Sequence, residues 1–212
     1  MKSLKVALLG EAGVGKSSIV NRFVTEHFSE YQDSTVGASY FTKVVNIDSQ
    51  LIRLEIWDTA GQERYHSLAP MYYRNSHAVI IVYNLTDDKS YEKAQMWIKE
   101  ILINYKDCSN MDHPLIYLVG NKLDLIVDNL ILRKVNAEIL NQYAHQNKLI
   151  LFEVSAKTGH NIIELFHDIG YRFIQINQMN PLFEKKPLYM LLNNTNEHVN
   201  YKDLSRRCCG NN

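Results

Sequence analysis

The sequence has few cysteines, no long apolar run and no excess of charge of either sign. Three cysteines among 212 residues are too few, and odd in number, for a fold held by disulfides. No apolar run approaches the roughly 18 residues that a membrane-spanning helix needs, and the first residues do not resemble a secretion signal. Lysine plus arginine and aspartate plus glutamate both number 23, which disfavours a nucleic-acid-binding protein with a bulk basic surface. We therefore expect a cytosolic protein that does not bind nucleic acid.

Apolar stretches and helical patterns alternate along most of the chain. The continuous apolar runs are typical of strands buried on both faces of a parallel sheet, and the alternation predicts a three-layer, doubly wound α/β domain. We expect a six-stranded, mostly parallel sheet with one antiparallel strand. The predicted strands are 5–9, 40–47, 51–57, 78–85, 115–120 and 149–154, and the predicted helices are 16–25, 88–105, 132–147 and 161–176.

The composition changes after residue 176. Residues 177–212 are rich in asparagine and show little periodicity, which predicts a flexible, disordered tail. We therefore divide the chain into a folded domain, 1–176, and a tail, 177–212. The tail ends in two adjacent cysteines, Cys208 and Cys209, which are poorly placed to bridge each other. They are either two exposed thiols or a site of lipid attachment.

A phosphate-binding loop is predicted between the first strand and the first helix. Residues 10–17, G-E-A-G-V-G-K-S, fit the pattern G-x-x-x-x-G-K-[ST]. Glycines allow backbone N–H groups to wrap around phosphate oxygens, and the helix that follows adds positive potential. In this pattern, Lys16 contacts the β- and γ-phosphates and the Ser17 hydroxyl binds Mg²⁺. The alternative, an ordinary glycine-rich turn, is disfavoured because a strand precedes the loop and a helix follows it.

A second set of candidate residues follows the strand at 51–57. Asp58 is suited to hold Mg²⁺ at the strand end, Gly61 to offer its N–H to the γ-phosphate, and Gln62 to orient the attacking water. Taken alone, Gln62 is more simply a solvated loop residue. The interpretation depends on the order and spacing of all the motifs.

Two further motifs indicate that the base is guanine. Residues 121–124, N-K-L-D, follow a buried strand at the edge where ligands bind in open α/β sheets. A carboxylate such as that of Asp124 matches the adjacent N1–H and N2 amino donors of guanine, a pair that adenine lacks. Residues 155–157, S-A-K, end the next strand and complete the pocket. These motifs argue against the rival hypothesis of a P-loop ATPase or kinase.

Together these motifs resemble the Ras-like small GTPases over about residues 4–176. Within that superfamily, residues 57–65 and 67–74 are similar to the Rab family, and residues 64–73 are most similar to its early-endosomal branch. The resemblance implies a G domain that binds GTP or GDP with Mg²⁺, hydrolyses GTP slowly, and recruits effectors in the GTP state to regulate endosomal vesicle trafficking and fusion.

The resemblance also assigns roles to residues by position. It makes Thr35 the switch residue that closes on Mg²⁺ and the γ-phosphate, and it makes Phe28 the residue packed against guanine, with Ser29 and Glu30 near the ribose. The implied catalytic residues are Gln62, Lys16 and Thr35, and the implied metal ligands are Ser17, Thr35 and Asp58. The implied nucleotide-binding residues are Ala12, Gly13, Val14, Gly15, Lys16, Ser17, Ser18, Phe28, Ser29, Glu30, Thr35, Gly61, Asn121, Lys122, Asp124, Ser155, Ala156 and Lys157.

Partners and location follow from the same resemblance. Tyr40, Trp57 and Tyr72 match the aromatic triad that effectors contact in Rab proteins. The implied partners are effectors, an exchange factor, a GTPase-activating protein, an escort protein and a GDP-dissociation inhibitor, with a monomeric G domain. Because Rab chains end in paired prenylated cysteines, Cys208 and Cys209 imply a lipid anchor on the cytoplasmic face of endosomal membranes.

Two positions depart from the family pattern. Ala12 stands in the phosphate loop where the early-endosomal branch usually has serine, and Tyr40 replaces the usual phenylalanine of the aromatic triad. A methyl group beside the γ-phosphate leaves open an alternative function, a scaffold that binds nucleotide with impaired hydrolysis.

Overall fold

A six-stranded sheet forms the centre of the molecule. The computed structural model describes residues 1–106, 114–128 and 131–179. The strand order is β2-β3-β1-β4-β5-β6, in which only β2 runs antiparallel to its neighbour, β3, and every other pair is parallel. This arrangement confirms the predicted doubly wound fold. The strands are β1 (Lys2–Leu9), β2 (Ala38–Ile47), β3 (Gln50–Thr59), β4 (Ala78–Asn84), β5 (Leu115–Asn121) and β6 (Ile150–Glu153).

Helices cover both faces of the sheet. Helices α1 and α6 contribute to one apolar core, and α2, α3 and α5 contribute to the other. Because both faces are covered, β4 and β5 are buried along almost their whole length. The helices are α1 (Lys16–Thr25), α2 (Ala69–Tyr73), α3 (Asp88–Lys106), α4 (Asp124–Val127), α5 (Ala137–Asn147) and α6 (Ile162–Met179), with a 3₁₀ helix over Glu63–Leu68.

The helix predicted over 132–147 begins later than expected. The structure starts α5 at Ala137, and the side chain of Asn136 caps it by accepting hydrogen bonds from the N–H groups of Glu138 and Ile139. Leu132 is 83% exposed instead of facing the core. The prediction was wrong because it followed apolar spacing and overlooked the N-cap residue.

The other differences are at boundaries and in short segments. Helix α6 continues to Met179, past the predicted domain boundary at 176, and the short helices between 63 and 73 and at 124–127 were not predicted. No helix among the described residues has the length and apolar character needed to cross a membrane. Cys208 and Cys209 lie outside the described residues.

Candidate nucleotide-binding site

A cleft of about 440 Å³ opens at the carboxyl ends of β1, β3 and β5, and the segment that follows β6 also borders it. It brings together residues from all the sequence motifs, although they are far apart in the chain. The residues that line it are Ala12, Gly13, Gly15, Lys16, Ser17, Ser18, Phe28, Ser29, Glu30, Gln32, Asp33, Ser34, Thr35, Thr59, Gly61, Gln62, Asn121, Lys122, Asp124, Leu125, Ala156 and Lys157.

The loop between β1 and α1 is packed closely against the end of β5. Gly15 precedes α1 with a φ of 95°, and a Cβ atom there would lie 2.3 Å from the side-chain nitrogen of Asn121. That nitrogen donates a 2.9 Å hydrogen bond to the carbonyl of Val14. Gly15 is therefore required both by its left-handed backbone and by this contact. Asn121 joins the predicted phosphate side of the cleft to its predicted base side.

Lys16 places a buried ammonium group in the cleft wall. Its Nζ donates hydrogen bonds of 2.9 Å to the carbonyls of Gly10 and Glu11. Burial lowers the pKa of Lys16 to about 8, although the nearby carboxylates of Asp58 and Glu11 oppose this shift. A cation in such surroundings is best stabilised by an anionic ligand, because the charged form has lost its hydration.

Three side chains that carry hard oxygen atoms meet beside this lysine. The hydroxyls of Ser17 and Thr35 are 3.0 Å apart, and the Thr35 hydroxyl lies 3.5 Å from Oδ2 of Asp58. Burial raises the pKa of Asp58, while hydrogen bonding to Ser17 and the charge of Lys16 lower it. Within the described residues, the buried Oδ1 atom of Asp58 has no hydrogen-bond partner. Hydroxyl and carboxylate oxygens with an unsatisfied buried carboxylate atom fit Mg²⁺, which is bound by few protein ligands together with substrate phosphates.

The segment after β3 approaches the phosphate loop. A Cβ atom on Gly61 would lie 2.5 Å from Nζ of Lys16 and 2.6 Å from the backbone nitrogen of Ala12. The N–H of Ala60 donates to the carbonyl of Gly37 at 2.8 Å, which ties this segment to the loop that carries Thr35. Gln62 is half-buried and lines the cleft. The segments that carry Thr35 and Gly61 are therefore held together next to the predicted phosphate site.

The opposite end of the cleft carries the predicted base-binding residues. Ser155 donates a 2.6 Å hydrogen bond to Oδ1 of the buried Asp124, and the N–H of Ala156 donates to Oδ1 of Asn121 at 3.1 Å. Lys122 has a φ of 67°, an uncommon conformation for a lysine. These bonds hold the loop 155–157 against the end of β5, with the Asp124 carboxylate at the cleft.

The loop that contains Phe28, Ser29 and Glu30 closes this end. Phe28 packs against the core, and Ser29 bonds within its own loop, to the carbonyl and N–H of Tyr31. Glu30 forms a 3.1 Å ion pair with Lys157. Because both side chains are more than half exposed, we expect this pair to add little stability.

Three of the predicted nucleotide- and metal-binding residues, all of them described, do not line the cleft. Val14 is buried in the core, and it takes part through its carbonyl bond to Asn121. Asp58 and Ser155 lie behind the cleft wall, where they contact residues that do line it.

Comparisons with known proteins agree with this geometry. The model of the Ras family matches residues 5–175. The chain belongs to the Ras family. It is 48% identical over 166 residues to Ras-related protein Rab-5A of Dictyostelium discoideum, an alignment that covers 78% of each chain. It is 41% identical over 193 residues to Ras-related protein Rab5A of Oryza sativa subsp. japonica (91% of this chain, 89% of the relative) and 46% identical over 177 residues to GTP-binding protein ypt5 of Schizosaccharomyces pombe (83% and 80%).

Membership in the Ras family, with these Rab relatives, defines the activity. The chain is a Rab-type GTPase switch in endosomal trafficking, which binds GTP and GDP with Mg²⁺ and hydrolyses GTP. Its kinds of partner are effectors, exchange factors, GTPase-activating proteins and GDP-dissociation inhibitors, and it associates with endosomal membranes. None of these comparisons favours the alternative of a scaffold with impaired hydrolysis.

The predicted effector triad of this GTPase forms a continuous aromatic surface. Tyr40 and Trp57 face each other across β2 and β3, with ring centroids 5.1 Å apart. The ring of Tyr72 lies 5.6 Å from that of Trp57. Tyr40 is 51% exposed, so its hydroxyl, which the usual phenylalanine lacks, can be satisfied by water or by a partner.

Sequence reasoning missed several residues that line the cleft. Gln32, Asp33, Ser34, Thr59 and Leu125 line the cleft, and the side chain of Gln32 accepts a 3.0 Å hydrogen bond from Ser18. Their closeness in sequence to Thr35, Asp58 and Asp124 was the available signal.

Proposed function

We propose that the cleft binds GTP and GDP with Mg²⁺, and that its closed arrangement around Thr35 and Gly61 is the GTP-dependent switch. The observation that carries the proposal is the unpartnered buried Oδ1 of Asp58 beside the Ser17–Thr35 pair and the buried ammonium of Lys16. This grouping combines a place for a divalent cation with a place for an anion in one site. The nucleotide-binding residues are those named from the sequence, with Val14 and Ser155 acting from behind the wall.

Ser17 and Thr35 would bind Mg²⁺ through their hydroxyls, and Asp58 would hold it from behind. The ion supplies positive charge that neutralises the phosphate oxygens when it is bound. The 3.0 Å separation of the Ser17 and Thr35 hydroxyls supports a shared role. Loss of the γ-phosphate releases Thr35 and Gly61, and with them the two segments joined by the Ala60–Gly37 hydrogen bond.

Hydrolysis rests on charge stabilisation and on placement of water. Lys16 stabilises negative charge on the transferred phosphoryl group, and Gln62 orients the attacking water. Among the described residues, no arginine lines the cleft. We therefore infer that the chain hydrolyses GTP slowly alone and that an activating protein supplies the missing charge.

Guanine is selected by Asp124 and by the residues that hold it. The carboxylate of Asp124 is buried and accepts a hydrogen bond from Ser155. A base without two adjacent donors would therefore leave this charged group without enough hydrogen bonds. Phe28 packs against the base, and Lys122, Ala156 and Lys157 complete the pocket.

The remaining proposals concern partners and the membrane. The aromatic surface of Tyr40, Trp57 and Tyr72 contacts effectors in the GTP state. The G domain, 1–176, is a monomer, and the tail, 177–212, is presented by an escort protein for prenylation of Cys208 and Cys209, which anchors the chain to endosomal membranes. Replacement of both cysteines by serine should abolish prenyl incorporation and membrane association, and persistence of both would contradict the anchor.

The experiment that tests the enzymatic proposal is single-turnover hydrolysis by the purified full-length chain with Mg²⁺. We expect slow release of phosphate from GTP and none from ATP. Lys16→Ala should abolish hydrolysis through loss of nucleotide binding, whereas Lys134→Ala, at a lysine outside the cleft lining, should have no effect. Equal hydrolysis of ATP would overturn guanine selection, and tight GTP binding without phosphate release would favour the scaffold alternative.

A further inference from the structure

Arg22, on the last turns of α1, contacts the predicted base-binding loop through its backbone carbonyls, whereas Asn121 contacts it through a backbone N–H. Its Nε donates to the carbonyl of Ala156 at 2.9 Å, and its Nη2 donates to the carbonyl of Lys157 at 2.5 Å. Its Nη1 donates to the carbonyl of Glu26 at 2.6 Å. The guanidinium of Arg22, a residue that is half-buried as a whole, thus spans the end of α1 and two consecutive residues of the loop.

The same guanidinium lies beside the aromatic ring at the other wall of the cleft. Its central carbon is 6.0 Å from the centroid of the Phe28 ring, at the limit of a cation–π contact. Phe28 follows the chain segment that leaves α1 at Glu26. One side chain therefore connects the loop at 155–157 to the residue proposed to pack against guanine.

We propose that Arg22 is a positioning residue for the guanine base, which it serves by fixing loop 155–157 relative to Phe28. This inference rests on the proposed binding of guanine nucleotide in the cleft. Loop 155–157 is held by Asn121 and Asp124 and, through separate hydrogen bonds, by Arg22. Removal of the second support lets the loop separate from Phe28, so bound nucleotide leaves faster.

Arginine suits this position because of the shape of its donor group. Backbone carbonyls of neighbouring residues present acceptors in different directions, and the planar fork of arginine reaches them with several N–H groups at once. Lysine offers the same charge on a single ammonium group. If the fork is what matters, a lysine substitution will recover little of the function.

The test compares the unaltered full-length chain with Arg22→Met and Arg22→Lys. We expect Arg22→Met to release fluorescent GDP about tenfold faster in the presence of Mg²⁺. The net free energy of the lost hydrogen bonds corresponds to a change of about tenfold in the rate of release. Arg22→Lys should release GDP almost as fast as Arg22→Met. The preference for GDP over inosine diphosphate, which lacks the exocyclic amino group, should fall as well, because Ser155 no longer holds Asp124 in place.

A second readout separates positioning from a general structural role. The single-turnover rate of hydrolysis of already bound GTP should stay within about twofold of the unaltered chain, since the hydrogen bonds of Arg22 go to Glu26, Ala156 and Lys157 and not to the proposed catalytic residues. Arg53→Met, at an exposed arginine on β3, is the matched control and should change neither rate.

The outcomes are distinguishable. Unchanged GDP release in both Arg22 variants would overturn the inference while leaving the proposed function intact. Faster GDP release accompanied by a comparable fall in the rate of GTP hydrolysis and by a lower melting temperature would also overturn it, because that pattern indicates general destabilisation. Failure of the unaltered chain to bind GDP would refute the proposed function itself, and the positioning role with it.

Discussion

Gln62 lies half-buried in the cleft wall, between Gly61 and the start of the 3₁₀ helix. Its amide can both donate to and accept from a water molecule, which a leucine of similar size cannot do. We expect Gln62→Leu to reduce hydrolysis stimulated by an activating protein at least about a hundredfold, with GDP release unchanged. Single-turnover phosphate release with and without that protein is the measurement. Gln142→Leu, on the exposed side of α5, is the control, and a normal stimulated rate in Gln62→Leu would exclude the assigned role.

His77 makes the stability of the GTPase depend on pH at a point away from the nucleotide. Its Nδ1 accepts a 3.0 Å hydrogen bond from the backbone N–H of Lys5, a bond that requires the neutral ring. Burial lowers the pKa of His77 below 6.5, although the charge of Glu55 opposes this shift. The unfolded chain therefore binds a proton more readily, so the contribution of His77 is complete above pH 6.5 and is lost as the pH falls below it.

His77→Asn tests this contribution. Asparagine keeps an acceptor close to the position of Nδ1 and does not titrate, so the fall in melting temperature between pH 7.5 and pH 5.5 should be smaller in the variant. His145→Asn, at an exposed histidine of α5, should leave the pH dependence as it is. An identical pH dependence in His77→Asn and the unaltered chain would contradict the assignment.

Residues within sequence motifs were predictable, and residues that act through backbone contacts were not. Lys16, Asp58 and Asp124 could be found because their chemistry requires particular side chains at fixed spacing after a strand. Arg22 could not, because its partners are carbonyl groups 134 and 135 residues away, and a carbonyl leaves no mark in the sequence. The carbonyl bond of Val14 and the double link made by Asn121 escaped prediction for the same reason.

At the level of elements, buried strands were easier to predict than the ends of helices. The strands β4 and β5 have apolar runs because both faces are covered, so their burial is visible in the sequence. The start of α5 depends instead on a local competition, in which the side chain of Asn136 captures two backbone N–H groups. Apolar spacing alone placed it too early, because Leu132 has helical spacing but is exposed.

The packing of α6 on β2 depends on the absence of a side chain at Gly170. A Cβ atom there would lie 2.2 Å from Cδ1 of Ile47 and 3.6 Å from Cγ1 of the same residue. Glycine inside a helix costs about 1 kcal/mol relative to alanine. We expect the collision to cancel or exceed this gain when Gly170 is replaced by alanine in the unaltered chain, because Ile47 is buried.

Ile47→Val removes the colliding atom and separates the two effects. We expect Gly170→Ala to leave stability unchanged or lower it in the unaltered chain, and to raise it by about 1 kcal/mol in the Ile47→Val background. Denaturant unfolding of the four proteins gives the coupling. If Gly170→Ala has the same effect in both backgrounds, the contact does not limit the packing of α6.

At the scale of the whole molecule, the proposed nucleotide site lies where otherwise separate parts of the chain meet. The phosphate loop, the segment with Thr35, the segment with Gly61 and the loop 155–157 all border one cleft. Direct hydrogen bonds between them include the Ser17–Thr35 and Ala60–Gly37 bonds. A ligand that contacts several of these segments links them to one another. Occupancy of the cleft by nucleotide should therefore control the stability of the entire G domain.

Thermal unfolding of nucleotide-free full-length chain tests this coupling. At a concentration one thousand times its dissociation constant, a ligand that binds only the folded state contributes about 4 kcal/mol. For a domain of this size that corresponds to a rise in melting temperature on the order of 10 °C. We expect this rise with GDP and Mg²⁺, no rise with ADP, and a smaller rise when a chelator removes the cation, because the charge of Asp58 then faces the phosphates without compensation. Lys16→Ala should respond to neither nucleotide. Equal stabilisation by ADP and GDP would show that the cleft does not select the base, and insensitivity to chelation would show that Ser17, Thr35 and Asp58 do not hold a metal ion.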